Sequence, residues 1–266
     1  MGITMIATAG GSRLVIGCAL IALVAAIAAA APSLAPYDPT RSSMSLLSPP
    51  TWANWLGTDE LGRDIWSRLL YGARPSLTIG FGAATVAALI GVPIGLTAGY
   101  FRGAVDTAIV PVIDLFIALP GLVLALIITV MVGPTITNLI LVLGFVGWPT
   151  VARLVRGQVL AIREQTFIEA ARAIGGGSAW IMFRHVWPNV MRIVAAQFSI
   201  TMSFAIFTSA SLSFLGLGIP PPTPDWGGMV RAGFDFLSIN PMMSLGPGAA
   251  VAVTVLGFYL VGTSVE

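Results

Sequence analysis

An all-α membrane fold with six spanning helices is what this sequence predicts, on three observations. Of its 266 residues, 56% are hydrophobic and only 9% are charged, where soluble domains carry about 25%. Mean hydropathy is +0.93. Charge-free runs of 18 to 38 residues recur along the chain, and about 20 apolar residues suffice for a helix to span the hydrocarbon core. This composition excludes disorder, which needs low hydrophobicity and high charge. It also excludes a water-soluble domain, because the charges are too few to cover its surface. Thirteen Arg, no Lys and 11 acidic residues make no basic patch, so nucleic acid is not an implied partner. The lone cysteine, Cys18, lies in an apolar run and reads as a buried, inert thiol.

The elements follow in order, as one transmembrane domain over 1–266. Leu14–Ala31 is charge-free and gives the first span, 14–31. Its Ala-rich end also fits a cleaved signal peptide, but the many later spans favour an uncleaved anchor. The outer segment 32–74 begins with Pro32, Pro36, Pro39, Pro49 and Pro50 and reads as extended. Within it, Ile65, Trp66, Leu69 and Leu70 share one helical face, and Asp64 and Arg68 are spaced to pair at i,i+4. That stretch is expected as an interfacial helix lying on the bilayer. The second span is 75–101. Leu115–Ala152 is charge-free for 38 residues, too long for one helix. Gly133-Pro134 divides it, giving spans at 106–132 and 135–152. The fifth and sixth spans are 193–217 and 244–262, separated by a Pro-rich outer segment, 218–243.

Orientation follows from arginine. The link 153–192 carries six Arg against two Glu and is expected on the cytoplasmic side. Six spans then put both termini on that side, and 32–74 and 218–243 face outward.

The link holds the strongest local signals. Thr166-Phe-Ile-Glu169 fits a capping box, with Thr166 and Glu169 each satisfying the other's backbone N–H. The helix it starts is stopped by Gly175-Gly176-Gly177. Ser178 is placed to cap a second short helix, which Pro188 ends or kinks. Ile168, Ile174, Trp180, Ile181 and Phe183 make the link too apolar for a free loop. The chain's own helix ends can cover part of it, and a soluble partner the remainder, as a helix held in a groove.

Glu169-Ala170-Ala171, three residues, Gly175, nine residues, then His185-Val-Trp-Pro188 resembles the EAA loop of ABC importer permeases. Gly57-Thr-Asp-Glu-Leu-Gly-Arg-Asp64 resembles the block before the second helix of the C-type subunit of dipeptide, oligopeptide and nickel permeases. Ser213-Phe-Leu-Gly-Leu-Gly218, with Pro221, Pro222, Thr223, Pro224 and Trp226-Gly227, is similar to that subunit's fifth helix and outer loop. The resemblance implies a type I ABC importer permease fold in a bacterial inner membrane. Glu169, Ala170, Ala171, Arg172, Gly175, His185 and Pro188 would form the loop that docks an ATPase. The implied partners are a homologous second permease, two ATPase subunits or domains, an extracytoplasmic substrate-binding protein and membrane lipid. ATP and Mg would sit in the ATPases, with no cofactor in this chain. The chain lacks a G-x-x-x-x-G-K-[ST] loop, a nucleophile motif and H-E-x-x-H, so it reads as a permease and not an enzyme.

Several residues admit two readings. Glu169 can cap its helix, couple to a partner, or do both. His185 reads as a packed residue in preference to a metal ligand, with no Cys or carboxylate pattern around it. Gly91, Gly95 and Gly99 recur every fourth residue, a row that lets another helix approach closely. The spacing does not choose between a seam inside this chain and one with a second permease. Asp114 is an acid inside a predicted span, functional by default, with capping or pairing to Arg as the structural reading. Arg231 and Asp235 are solvated charges or contacts of a binding protein. The solute implied is a dipeptide or oligopeptide, with nickel, haem or another small solute as the alternative. An ion-coupled secondary transporter would need paired ionisable groups near the midplane and broken helices in corresponding halves.

Overall fold

The chain, described by a computed structural model over residues 2–264 with side chains from residue 11, folds into helices joined by loops. In order these are α1 (Gly2–Leu34), α2 (Ile65–Phe101), α3 (Gly103–Ala118), α4 (Gly121–Val132), α5 (Ile136–Arg163), α6 (Thr166–Ala173) and α7 (Ser178–Ile181). A π-helical turn, Met182–Val186, leads into α8 (Trp187–Phe214), followed by α9 (Trp226–Phe234) and α10 (Met242–Ser264). Five helical stretches are long and apolar enough to cross a membrane, and α3 with α4 supplies a sixth if counted as one span. Lipid offers backbone groups no hydrogen bonds, so long uninterrupted helices are what such apolar runs form.

The α2–α5 pair makes the most extensive contact, with α8 and α10 packed around it and α1 against α10. The Gly91, Gly95 and Gly99 row faces α5. A Cβ there would lie 2.6 Å from Trp148 O, 2.6 Å from Ala152 O and 2.7 Å from Val159 Cβ, respectively. From the other side, Gly144 of α5 meets Val86 of α2. The row is therefore a seam inside this chain.

Four boundaries differ from expectation. First, residues 65–71 form no separate interfacial helix but are the opening turns of α2. Asp64 caps them, its Oδ2 accepting from Ser67 N at 2.8 Å and from Ser67 Oγ at 2.7 Å. The helix then continues through Pro75 and Pro93. At 1.5 Å per residue α2 is about 55 Å long, so its first turns project beyond a core about 30 Å thick. The Asp64–Arg68 pair does not form, because the cap engages Asp64; Arg68 Nε lies 3.5 Å from Asp59 Oδ2 instead. Second, α5 continues eleven residues past 152, to Arg163. Its arginines find partners along the way, so they do not end the helix: Arg163 donates to Tyr100 O at 2.5 Å, and Arg156 forks onto Asp106 at 2.5 and 2.7 Å.

Third, the span expected at 106–132 is broken. α3 and α4 meet at 87°. Pro120 has no N–H and pushes the residue before it out of helical conformation; Leu119 is extended, at φ −84°, ψ 133°. Fourth, the fifth span is continuous with the link, since residues 178–214 run as one helical stretch through the π turn. Cys18 also departs from expectation, because it lies exposed on α1.

The loop end of the bundle explains the Gly57–Asp64 block. Gly57 and Gly62 have φ of +80° and +72°, and a Cβ on either would lie about 2 Å from a backbone oxygen of the 43–48 strand of chain: 2.2 Å from Ser48 O and 2.1 Å from Ser43 O. Between them, Asp59 accepts from Arg63 N at 2.8 Å and Arg63 Nε at 2.7 Å. Nearby, α9 was not anticipated within 218–243. Asp225 caps it, accepting from Gly228 N at 2.9 Å. Trp226 is buried and donates to Leu69 O at 2.8 Å, in a space left by Gly72.

Candidate functional site: the link face and the neighbouring cleft

The link between α5 and α8 packs against the opposite end of the bundle. Ile168, Ile181 and Val186 are fully buried with Tyr100, Val155 and Val159 of α2 and α5. Each such side chain contributes about 1.5–3 kcal/mol by leaving water, enough to fix the link as a rigid element.

The capping box does not form. Gln165 is the N-cap, and its carbonyl accepts from Ile168 N at 2.9 Å. The helix thus starts one residue early, Thr166 is already helical, and no side chain caps it. Glu169 lies in the first turn, where a carboxylate is favoured by the helix dipole, and its side chain is exposed. Ala170 beside it is exposed, while Ala171 is buried against the bundle. The C-terminal end follows the glycine expectation. Gly175 has φ +84°, Gly175 N donates to Arg172 O at 2.9 Å, and Gly176 N donates to Ala171 O at 3.0 Å. That is the paired closure of a Schellman motif. Open space surrounds a Cβ at Gly175, so the backbone conformation, not crowding, calls for glycine. Arg172 places its guanidinium 6.0 Å from the centre of the Tyr100 ring.

Ser178 likewise makes no cap, since Gly177 occupies that position. His185 lies in the π turn, where Trp187 N reaches back five residues to Met182 O. Pro188, just after it, cannot donate to the carbonyl four residues earlier, which accounts for the wider turn at this point. The His185 ring packs edge-on to Trp180 at 4.9 Å and near Phe167 at 6.2 Å.

The outward side of the link is apolar. Ile174 is 80% exposed and Phe183 69%, with Trp180 and Phe167 also exposed. Arg172 and Arg184 flank them. A rigid, apolar patch rimmed by charge marks an interaction surface.

A second feature had no motif to announce it. Where α3 breaks into α4, a cleft of about 280 Å³ opens between them, α5 and α8, lined by Ile117, Leu119, Thr150, Gln197, Thr201 and Phe204 among others. The Pro120-Gly121 dipeptide, a turn signal, was the available clue. Beside it, α3 meets α5 through a small apolar cluster, Ile113 and Phe116 against Trp148 and Ala152, and through ion pairs. Arg156 binds Asp106 and Arg153 binds Asp114, while Arg102 reaches Glu164 at 2.6 Å. Asp114 is thus paired to Arg. At the loop end, Arg231 and Asp235 are exposed on and just after α9.

Residues 91–265 match the family described as binding-protein-dependent transport system inner membrane component. The chain is 39% identical to the glutathione transport system permease protein GsiD of Pectobacterium atrosepticum, over 91% of this chain and 81% of that one. It is 38% identical to the dipeptide transport system permease protein DppC of Alkalihalophilus pseudofirmus, over 93% and 82%. Among solved structures, the MetNI methionine ABC transporter in inward-facing form shares the fold, with a TM-score of 0.62 at 19% identity, over 74% of this chain and 93% of that one. The chain therefore belongs to the family of binding-protein-dependent transport system inner membrane components, as a permease subunit of an ABC importer.

Proposed function

We propose that this subunit carries short peptides inward across a bacterial inner membrane, working with a second, homologous permease, two ATPases and an extracytoplasmic binding protein. The observation that carries the reading is the link face: Ile174, Trp180 and Phe183 stand exposed on an element anchored to the ends of α2, α5 and α8. That is the form a docking helix needs, apolar outward and rigid inward. ATP and Mg are held in the ATPase chains, and this chain performs no chemistry. The link then lies in the cytoplasm, as its arginine excess favours, with both termini on the same side and the 35–64 and 215–241 segments outside. Closure of the ATPases on ATP draws the two permeases' links together and opens the path outward. The binding protein releases its solute there, and hydrolysis resets the inward state. ATP binding must favour the outward state by several kcal/mol, about 5.5 to move it from 1:99 to 99:1.

Peptide as the solute rests on the two relatives named for glutathione and dipeptide transport. Secondary transport finds less support. The broken span occurs once among the described residues, without a counterpart in the other half.

The test is recovery of tagged chain from its native membrane in mild detergent, with partners identified by mass, beside uptake by Glu169→Lys. A second permease and ATPases are expected, with the variant inserted and assembled but uptake lost. Recovery of the chain alone, with uptake that follows an ion gradient rather than ATP, would overturn the reading.

A further inference from the structure

The Arg153–Asp114 pair bounds the charge-free run 115–152 on the link side of the cleft. Asp114 lies eleven residues inside the start of α3, and Arg153 ten residues inside the end of α5. At 1.5 Å per residue both sit about 15 Å from the link end of their helices, bounding the charge-free run 115–152 near Val155, against which the link packs. Yet their side chains are 57% and 49% exposed, respectively. Ionised groups at the edge of an apolar span face the bundle interior or water in preference to lipid. The neighbouring backbone leads to the same conclusion. The α3–α4 break at Leu119-Pro120 is exposed as well, and irregular backbone at membrane depth is tolerated only inside protein or along an aqueous cavity.

Both features open on one face. Asp114 and Ile117 are three residues apart on α3, as are Thr150 and Arg153 on α5, and residues at that spacing share a helix face. Ile117 and Thr150 line the cleft, opposite Gln197 and Thr201 of α8. The pair therefore sits one turn, about 5 Å, from the cleft on its link side. A half-exposed ion pair gains little from its own attraction and exchanges readily for other ions.

We infer that Arg153 and Asp114 line the solute path and handle the ends of a zwitterionic solute, Asp114 taking its ammonium group and Arg153 its carboxylate, as it leaves the cleft toward the cytoplasm. The inference rests on the proposed import of peptides and names the residues that distinguish a charged-ended solute. Neither residue is in the docking link, so the role is separable from ATPase coupling.

The experiment uses the assembled complex in inside-out membrane vesicles, in a Cys18→Ser background. Asp114→Cys, Arg153→Cys and Leu89→Cys are exposed to a membrane-impermeant cationic methanethiosulfonate. Leu89 is 71% exposed on the middle of α2 and should meet lipid. Labelling at 114 and 153 at least 10-fold faster than at 89 is expected, and equal rates at all three positions would overturn the inference. The second measurement is uptake of labelled alanyl-alanine by intact cells. Asp114→Asn and Arg153→Gln should each slow it at least 10-fold while ATP hydrolysis by the complex persists. The exchanged pair Asp114→Arg/Arg153→Asp separates path lining from simple bracing. A brace is rescued by exchange, so uptake at the wild-type rate in that double variant would overturn the inference, and persistent loss supports it. Labelling reports on the path without reference to solute. Failure of peptide uptake by the unmodified complex would instead count against the proposed function.

Discussion

Gly95→Ala tests the seam on which the bundle depends. A Cβ at position 95 would lie 2.6 Å from Ala152 O and 2.8 Å from Val155 Cβ, where ordinary contact begins at 3.4 Å. The helices must part by about 0.8 Å at that point. Neither obstacle can swing aside: one is backbone, the other a Cβ atom, and both residues are fully buried. The flanking glycines meet α5 as closely, so the separation spreads along the pair. Overpacking of this kind costs about 1–3 kcal/mol, or roughly 2–12 °C in Tm for a chain of this size. The matched control is Gly157→Ala on α5, where nothing lies within 4 Å of the added carbon; helix propensity there favours alanine by about 0.8–1 kcal/mol. Both variants would be heated in detergent and the folded fraction read by fluorescence-detected size exclusion. A Gly95→Ala protein as stable as the Gly157→Ala protein would refute the close α2–α5 approach.

Asp59→Ala should remove about 3–5 kcal/mol, because it takes a carboxylate from Arg63 and Arg68, both 7% exposed; the same melt checks it, and loss below 1 kcal/mol would refute a structural role for the pairing. Ile174→Glu and Phe183→Glu change exposed residues, so Tm should move by less than about 1 kcal/mol equivalent while recovery of ATPase in a pull-down falls at least 10-fold. Asp225 is predicted to make stability pH-dependent. Burial raises its pKa above the usual 3.8, outweighing the nearby Ser213 hydroxyl and the Gly228 and Gly227 N–H groups that favour ionisation. The folded state thus holds the proton more tightly than the unfolded one. The resulting stability is fully present below the unfolded value and is lost as pH rises through the folded one. Asp225→Asn keeps an N-cap acceptor and should flatten that part of the pH–Tm curve; an unchanged slope would assign it to another group.

The parts of the fold legible in sequence were those written in periodic, local terms. The charge-free runs located the spans, the row of three glycines marked a close helix approach, and Gly175 marked the end of a helix. The parts that were not legible depend on distant partners. Arg153 and Arg156 read as the end of a span because the acids that neutralise them, Asp114 and Asp106, lie about 40 and 50 residues away on α3. Residues 62–71 read as a separate amphipathic helix because they carry charges and the charge-free run begins only at 75, after Arg74, whereas the neighbours around α2 carry one helix through both. The capping box at Thr166 is a correct motif in the wrong frame. The buried Ile168 fixes the rotation of α6 on α2 and α5, and the helix starts where Gln165 can accept. The cleft had no signal beyond Pro120-Gly121, because its lining comes from three separate stretches of chain.

These contacts differ in kind, and the difference bears on how motion would pass through the subunit. The link is joined to α2 and α5 by fully buried apolar side chains, and α2 is joined to α5 by a glycine seam without slack. A push on the exposed face of the link is therefore delivered through Ile168 and Ile181 to Val155 and Val159. It moves α2 and α5 together, since close-packed interfaces transmit displacement rather than absorb it. α3 is attached differently. Ile113 is its one buried side chain, packed with Phe116 against Trp148 and Ala152 of α5, and Asp106–Arg156 and Asp114–Arg153 complete the joint with ion pairs that are worth little at partly exposed sites. Beside the α2–α5 seam, α3 against α5 is thus the smaller joint. Along it lie the cleft, the broken backbone at Leu119-Pro120 and the Arg153–Asp114 pair. A displacement at the link that moves α2 and α5 together would therefore act on this smaller joint, and so on the width of the cleft.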